Sequence, residues 1–355
     1  MAFDENLAIR QLIAVYRDAY VRLLNVIAEK QVTLRSTAFE RALLADVFNI
    51  IRELDEAARQ WSEQVIPKVY SASAEAVPAA WTAAGLSAPP LQAGFAQVHR
   101  AAVEVLVANF QDNMDDAHRF IGRTIRDQWR RAQLEVVTRK VATGQTVREA
   151  KKALQERVAE EGLGALKDKR GRVWRLDRYA EMVARTTTAE ATNAGTTNQL
   201  RGMGRDLVQI TDHRAPCPVC APLEGRVYSI TGRTPGYPKL EVAYGDHLQI
   251  HPNCRHRAVP YIAELADDPE GDRERSNRPF DIDPRTEREK RAYEREQKQN
   301  RLRRQRRKLE EELSVLPDGE ERERVRERLR RVRSEQQRLG REQRQYIDEV
   351  TEVAS

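Results

Sequence analysis

The chain has 355 residues, of which 40% are hydrophobic and 33% charged, and 61 basic against 55 acidic side chains leave a formal charge of +6. That length allows two or three domains with a sizeable core, yet a mean hydropathy of −0.71 means that a substantial segment is solvated. No stretch approaches the roughly 18 apolar residues of a membrane helix, the N-terminus alternates charged and apolar positions unlike a signal peptide, and so small an excess of charge argues only weakly for nucleic acid. The expectation is a soluble protein made in the cytoplasm, with no membrane role and too few cysteines for a disulfide framework.

From Asn6 to about Gln31, Leu12, Val15, Ala19, Leu23 and Ile27 recur at steps of three and four, which predicts a helix. Thr37 with Glu40 reads as a capping box, and Phe39, Leu43, Val47, Ile50, Leu54, Ala58 and Trp61 make a second stripe that Pro67 is expected to end. A linker rich in Ala, Ser and Pro then closes on Ser87 to Pro90. A third helical pattern spans about Phe95 to Val141, carried by Val98, Ala102, Val105, Met114, Ile121, Ile125 and Trp129. Thr146 and Glu149 supply another capping box, followed by Val147, Ala150, Leu154 and Val158 on one face.

A basic, glycine-containing hinge at Gly162 to Arg172 leads into a helix through Tyr179, Met182, Val183 and Thr186. Its continuation is thick with Thr and Asn, which predicts a polar face packed against the next module. After Arg205 the segments DLVQITDH, GRVYSI and RAVPYI, separated by Gly and Pro, read as short strands. From Asp267 onward charge dominates. Leu302, Leu309, Leu313 and Leu316 form one stripe and Val325, Leu329, Val332, Leu339 and Tyr346 another, with LPDGE between them, so a helical hairpin, a coiled coil, is expected. Within it Lys298, Arg301, Arg303, Arg304, Arg306, Arg307 and Lys308 form a run without an acid. Such a run is either a solvated face with internal ion pairs or a surface for DNA phosphates or a protein partner.

The expected fold class is α+β, mainly helical. Its divisions are an N-terminal helical arm (1–90), a helical region (91–172), a small β-containing module (173–266) and a charged hairpin (267–355).

All three cysteines fall in two short motifs. Cys217 and Cys220 have the C-x2-C spacing that lets two thiolates from one turn reach the same ion, and His251 and Cys254 repeat the two-residue gap thirty residues after Cys220. This predicts a structural Zn²⁺ held by Cys217, Cys220, His251 and Cys254, with His256 or His213 as alternative fourth ligand. Reduced unligated thiols, or a disulfide formed outside the cytosol, are the competing readings.

Asp246 and His247 beside this motif invite comparison with zinc-containing HNH-like nucleases, but that chemistry needs a further metal-binding histidine downstream and none follows His256. Arg185 and Glu190 occur in ADP-ribosyltransferases, though two common residues prove little. No enzyme activity is therefore expected. His99 and His118 lie in helical patterns and read as ordinary surface or core residues.

The order of motifs resembles the phage minor capsid and phage Mu F-like head morphogenesis proteins over roughly residues 175–265. The residues that carry the resemblance are Arg185 and Thr186, Asp212 and His213, Leu223, Gly225, Val227 and Tyr228, and the run His251 to Arg257. Here the last motif ends in His256 where relatives also carry cysteine. The resemblance implies a virion structural protein, present in several copies inside the capsid or at the portal vertex. Its partners would be the portal or major capsid protein, and its role head assembly and genome packaging or delivery. The competing function is a packaging factor that binds double-stranded DNA through Lys298 to Lys308. The hairpin is too poor in polar catalytic residues for the toxin domain that some relatives carry.

Overall fold

Periodic apolar stripes of the kind read above bury themselves only as helices, and helices dominate the chain. A computed structural model describes residues 3–30, 37–143, 164–167, 173–213, 215–245, 248–316 and 318–353. Eight α-helices occur among them: α1 (Glu5–Lys30), α2 (Thr37–Ala83), α3 (Phe95–Thr143), α4 (Leu176–Gly202), α5 (Glu241–Tyr244), α6 (Pro269–Ser276), α7 (Glu287–Val315) and α8 (Glu320–Val353). The strands are β1 (Gly164–Lys167), β2 (Val173–Arg175), β3 (Leu207–Ile210), β4 (Val227–Ser229) and β5 (Ala258–Pro260). The fold is α+β and mainly helical, as expected. The capping box at Thr146 and Glu149 lies outside the described residues, as do Asp246 and His247.

The second helix does not end at Pro67. It continues through Pro67 and Pro78 to Ala83 because Val65, Ile66, Val69, Tyr70, Val77 and Trp81 keep the buried stripe going. A mid-helix proline costs about 3 kcal/mol, whereas each large apolar side chain taken from water contributes about 1.5–3 kcal/mol. Packing wins. Two stripes also differ in part from the expected positions. Tyr16 and Tyr20 are buried in α1 while Val15 is exposed, and α3 buries Leu106, Phe110, Met114, Ala117, Ile121 and Ile125 while Val98 and Val105 face solvent.

The chain divides into two compact units. The first comprises Met1–Tyr16, Glu53–Arg119 and Asp177–Glu289; the second comprises Arg17–Arg52, Phe120–Leu176 and Lys290–Ser355.

In the first unit α2 and α4 approach so closely that a Cβ on Gly195 would lie 2.5 Å from the Tyr70 carbonyl oxygen. The Tyr70 hydroxyl accepts from Asn198 (2.9 Å) and donates to His99 Nδ1 (2.8 Å). Buried His118 is a core residue. Burial first, then Asp55 and Asp115, push the Tyr16 phenol well above its ordinary pKa, so it donates to His118 Nε2 at 3.0 Å and leaves Nδ1–H to bond Asp55.

β3 is the middle strand of an antiparallel sheet in the order β4-β3-β5, with Val208 opposite Tyr228 and Ile210 opposite Ala258. One face of this sheet, Val208, Ile210, Tyr228 and Ala258, packs on Val77, Trp81, Leu200 and Met203 from the helices and on Leu240, Ala243 and Tyr244 around α5. The polar face of α4 docks on the same module, as expected. Buried Asn193 donates to the Leu248 carbonyl (2.6 Å) and accepts from the Ala258 N–H (2.9 Å). Asp206 anchors the chain beyond β4, accepting from Ser229 Oγ (2.5 Å), Thr234 Oγ1 (2.6 Å) and the Thr231 N–H (2.8 Å).

In the second unit β1 and β2 form an antiparallel hairpin where only a hinge was expected. Arg175 at its end lies over the Tyr20 ring, 4.4 Å from the centroid, and is bidentate on Glu311, with Nη2 to Oε1 at 2.6 Å. α7 and α8 run antiparallel, since Lys298 pairs with Glu335 (3.2 Å) and Glu310 with Arg333 (2.9 Å). Leu302, Leu309, Leu316, Val325, Leu329, Val332 and Leu339 are buried along the hairpin, while Leu313 is half-buried.

Two predictions follow from these polar anchors. Asn193→Ala strands a buried carbonyl and a buried N–H, and lowers the unfolding free energy by about 2–4 kcal/mol; an unchanged urea midpoint would show the amide to be dispensable. For Asp206, burial raises the carboxyl but the Ser229, Thr234 and Thr231 bonds outweigh it, holding it below the usual carboxylate range. Its contribution is therefore complete above the unfolded value of about 3.9 and disappears as pH falls through the lower folded value. Asp206→Asn destabilises the chain at neutral pH, and urea titrations of variant and wild type converge as pH drops below about 4.

Candidate metal centre

Pairing on both sides of β3 decides where the two cysteine motifs meet. The chain leaves β3 at Ile210 and enters β5 at Ala258, which is paired with it, and Thr211 N–H to the Arg257 carbonyl (2.9 Å) extends that pairing outward. The segment carrying Cys217 and Cys220 and the segment carrying His251 and Cys254 therefore lie beyond the same end of the sheet.

Each motif is a turn closed in the same way. Cys220 N–H bonds the Cys217 carbonyl at 3.1 Å, and Cys254 N–H bonds the His251 carbonyl at 3.0 Å, so each turn aims its first and fourth side chains together. Asn253 takes a φ of +63°, a left-handed conformation that asparagine tolerates better than most residues. Gly225, at φ +68°, passes so close to Asp212 that a Cβ would lie 2.4 Å from its Oδ1. α4 holds the second turn from behind through Asn193 on Leu248 and through Glu190, which accepts from Gln249 Nε2 at 3.1 Å.

Five potential donors converge. His251 Nε2 stands 3.3 Å from Cys217 Sγ and 3.0 Å from Cys220 Sγ, Cys220 Sγ is 3.8 Å from Cys254 Sγ, and Cys254 Sγ is 3.4 Å from His256 Nδ1. They form two triads that share Cys220: Cys217–Cys220–His251 and Cys220–Cys254–His256. Cys220, Cys254 and His256 are buried and Cys217 is half-buried. The other nitrogen of each histidine is engaged, His251 Nδ1 with the Pro252 carbonyl (2.8 Å) and His256 Nε2 with Glu224 (2.6 Å). His213 lies outside both triads; its ring packs edge-on against His256 with centroids 4.3 Å apart, and its N–H donates to Glu224 at 3.2 Å.

Electrostatics mark the cluster as one coupled unit. The hydrogen bond from Cys220, reinforced by His251, outweighs burial and brings the Cys217 thiol down to about 4. Cys220, placed between two other sulfurs, is pushed up, and Cys254 is lowered, first by Cys220 and then by His256. His251 rises to about 9 through Cys217; for His256 the bonds to Cys254 and Glu224 outweigh burial and raise it to about 9. Three thiols and two imidazoles are a soft donor set of the kind that selects zinc.

Residues singled out in the sequence for other chemistry have structural partners. Arg185 pairs with Glu181 (3.4 Å), and Glu190 is the partner of Gln249. Asp55, Asp115 and His118 are also grouped, but both His118 nitrogens are committed to Tyr16 and Asp55.

The basic run of α7 is divided in its partners. Lys298 bonds Glu335 at 3.2 Å, Lys308 bonds Glu312 at 3.7 Å, Arg306 bonds Glu310 (3.6 Å) and Gln336 (3.3 Å), and Arg303 reaches Asn300 at 3.5 Å. Arg303, Arg306 and Arg307 line, with Arg17 of α1, a cavity of about 660 Å³. Arg301 and Arg304 are exposed and make no ion pair among the described residues.

Sequence reasoning missed Glu224 and Tyr244. Glu224 sits inside the Leu223–Tyr228 motif, but one glutamate among many carries no mark of its own. The Tyr244 hydroxyl is buried without a hydrogen-bond partner among the described residues, and burial first, then Cys254, raises its pKa.

Comparison with known proteins gives these features a context. The chain is 30% identical over 102 residues to a protein named "Structural protein" from Lactococcus phage LL-H, a match covering 27% of this chain and 28% of that one. The chain thus spans under a third of the length of that relative. No solved structure matches. The family described as Phage minor capsid protein 2 matches residues 6–348, which include both helical units, the sheet module and its cysteine turns. By that match the chain belongs to the phage minor capsid protein 2 family.

Proposed function

We propose that this chain is a non-enzymatic component of the phage head that docks on the portal or the inner capsid and acts in head assembly and genome packaging or delivery. The family match over residues 6–348 carries this reading, because a minor capsid protein functions through contacts with other virion components. The architecture is compatible with such a role. Long helices present extended surfaces, and no helix among the described residues is long and apolar enough to cross a membrane. The candidate centre has five donors and neighbouring side chains that bond one another, an arrangement suited to holding loops together.

A second reading, a packaging factor that binds DNA, is favoured by Arg301 and Arg304, which are exposed on α7 and make no ion pair among the described residues. Against it stand the internal partners of Lys298, Arg306 and Lys308.

The first test is cross-linking mass spectrometry on purified virions of the phage that encodes the chain. Cross-links from this protein to the portal or the inner capsid surface are expected; their absence, with the protein found only on the outer surface or missing from the virion, overturns the assignment. The DNA reading is tested by duplex binding of the full chain across a salt series. If DNA is a ligand, log affinity falls linearly with log salt, and an Arg301→Ala, Arg304→Ala variant shows a slope shallower by up to about two.

A further inference from the structure

We propose that the end of the β4-β3-β5 sheet binds one zinc ion through Cys217, Cys220, His251 and Cys254, with His256 and Glu224 acting as positioning residues outside the ligand shell. The reading is independent of what the chain docks on. Two sulfurs each about 2.3 Å from a tetrahedral zinc stand about 3.8 Å apart, which is the Cys220–Cys254 separation. At that separation Cys220 and Cys254 are unbonded thiols, since a disulfide brings its sulfurs to about 2.05 Å.

The choice between the two histidines rests on position. His251 Nε2 approaches two sulfurs, Cys217 and Cys220, from the turn that also carries Cys254, so it faces a point common to those two thiols. His256 stands with Cys220 and Cys254 in the second triad, but its one sulfur contact at hydrogen-bond distance among the described residues is Nδ1 to Cys254. Its other nitrogen is held by Glu224, which also accepts from the His213 N–H. This is the arrangement by which a carboxylate orients an imidazole around a metal site; here the imidazole orients the Cys254 sulfur. Bringing Cys254 and the first triad onto one ion would join the 217–220 turn to the 251–254 turn, both of which lie outside the small apolar core of the sheet.

The test uses the full chain, stripped of metal with a chelator under reducing conditions, reloaded with zinc chloride and desalted before metal analysis. One zinc per chain is expected for wild type, and none is retained by His251→Ala. His256→Ala and Glu224→Gln keep one zinc but bind it about 10–100-fold more weakly in competition with a chromophoric chelator. Wild type that retains no zinc overturns the site, and zinc kept by His251→Ala but lost by His256→Ala overturns the ligand assignment. Because a variant that fails to fold would also lose metal, wild type is read independently with Co²⁺. Tetrahedral d–d bands with strong thiolate-to-metal charge transfer support the site, and a weak octahedral spectrum rejects it.

Discussion

The antiparallel pairing of β3 with both β4 and β5 is the constraint on which the central module depends. β3 is only four residues long, yet being the middle strand it fixes two segments distant in sequence at one end of one sheet. Shifting the register by one residue would turn Val208 and Ile210 away from Trp81 and Leu200, so the apolar face specifies the alignment. Thr211 and Arg257 then carry that alignment into the loops through reciprocal bonds, the Thr211 N–H to the Arg257 carbonyl and the Arg257 N–H to Thr211 Oγ1 at 3.0 Å. The convergence of thiols and imidazoles is thus a result of apolar packing on the strands that flank the two turns.

α4 reinforces the arrangement with polar rather than apolar contacts. Its buried Thr188 and Thr197 spend part of their hydrogen-bonding capacity on their own helix, each reaching back four residues to a carbonyl. Asn193 spends its capacity on the loop before the second turn and on β5. A helix that looks poorly designed by propensity is well matched to a neighbour whose loop backbone groups need partners. Around the opposite side of β4, buried Arg226 lies over the Phe280 ring, 4.4 Å from the centroid, and donates to the Arg278 and Pro279 carbonyls, tying the segment after α6 to the sheet.

Much of this organisation was legible in the sequence, and the failures have physical causes. Helix positions, the three central strands and the pairing of the two cysteine motifs could be read because period and spacing are local properties. The end expected at Pro67 was wrong because tertiary burial on both sides of the proline outweighed its local cost. The stripe of α1 was read correctly at Leu12, Ala19 and Leu23 but missed Tyr16 and Tyr20. These bury their rings because Tyr16 has His118 as a hydrogen-bond partner and Tyr20 lies beneath the Arg175 guanidinium, partners that are invisible in one dimension. The β1–β2 hairpin was hidden in a segment whose basic residues read as a hinge. Glu224 was missed for a similar reason, since its place beside His256 is set by the turn at Gly225 and not by any spacing rule.

The charge pattern of α8 bears on the order in which the molecule assembles itself. Arg324 pairs with Glu320 and Glu321, Arg326 with Glu323, Arg331 with Glu327 and Arg338 with Glu342, all within one helical turn. Each such pair is solvent-exposed and weak, but none waits for a distant part of the chain. α8 can therefore begin to form on the timescale of helix nucleation, whereas the sheet must first close the long loop between β3 and β5. Although it is last in sequence, α8 draws these contacts from its own turns and needs no other part of the protein to form them.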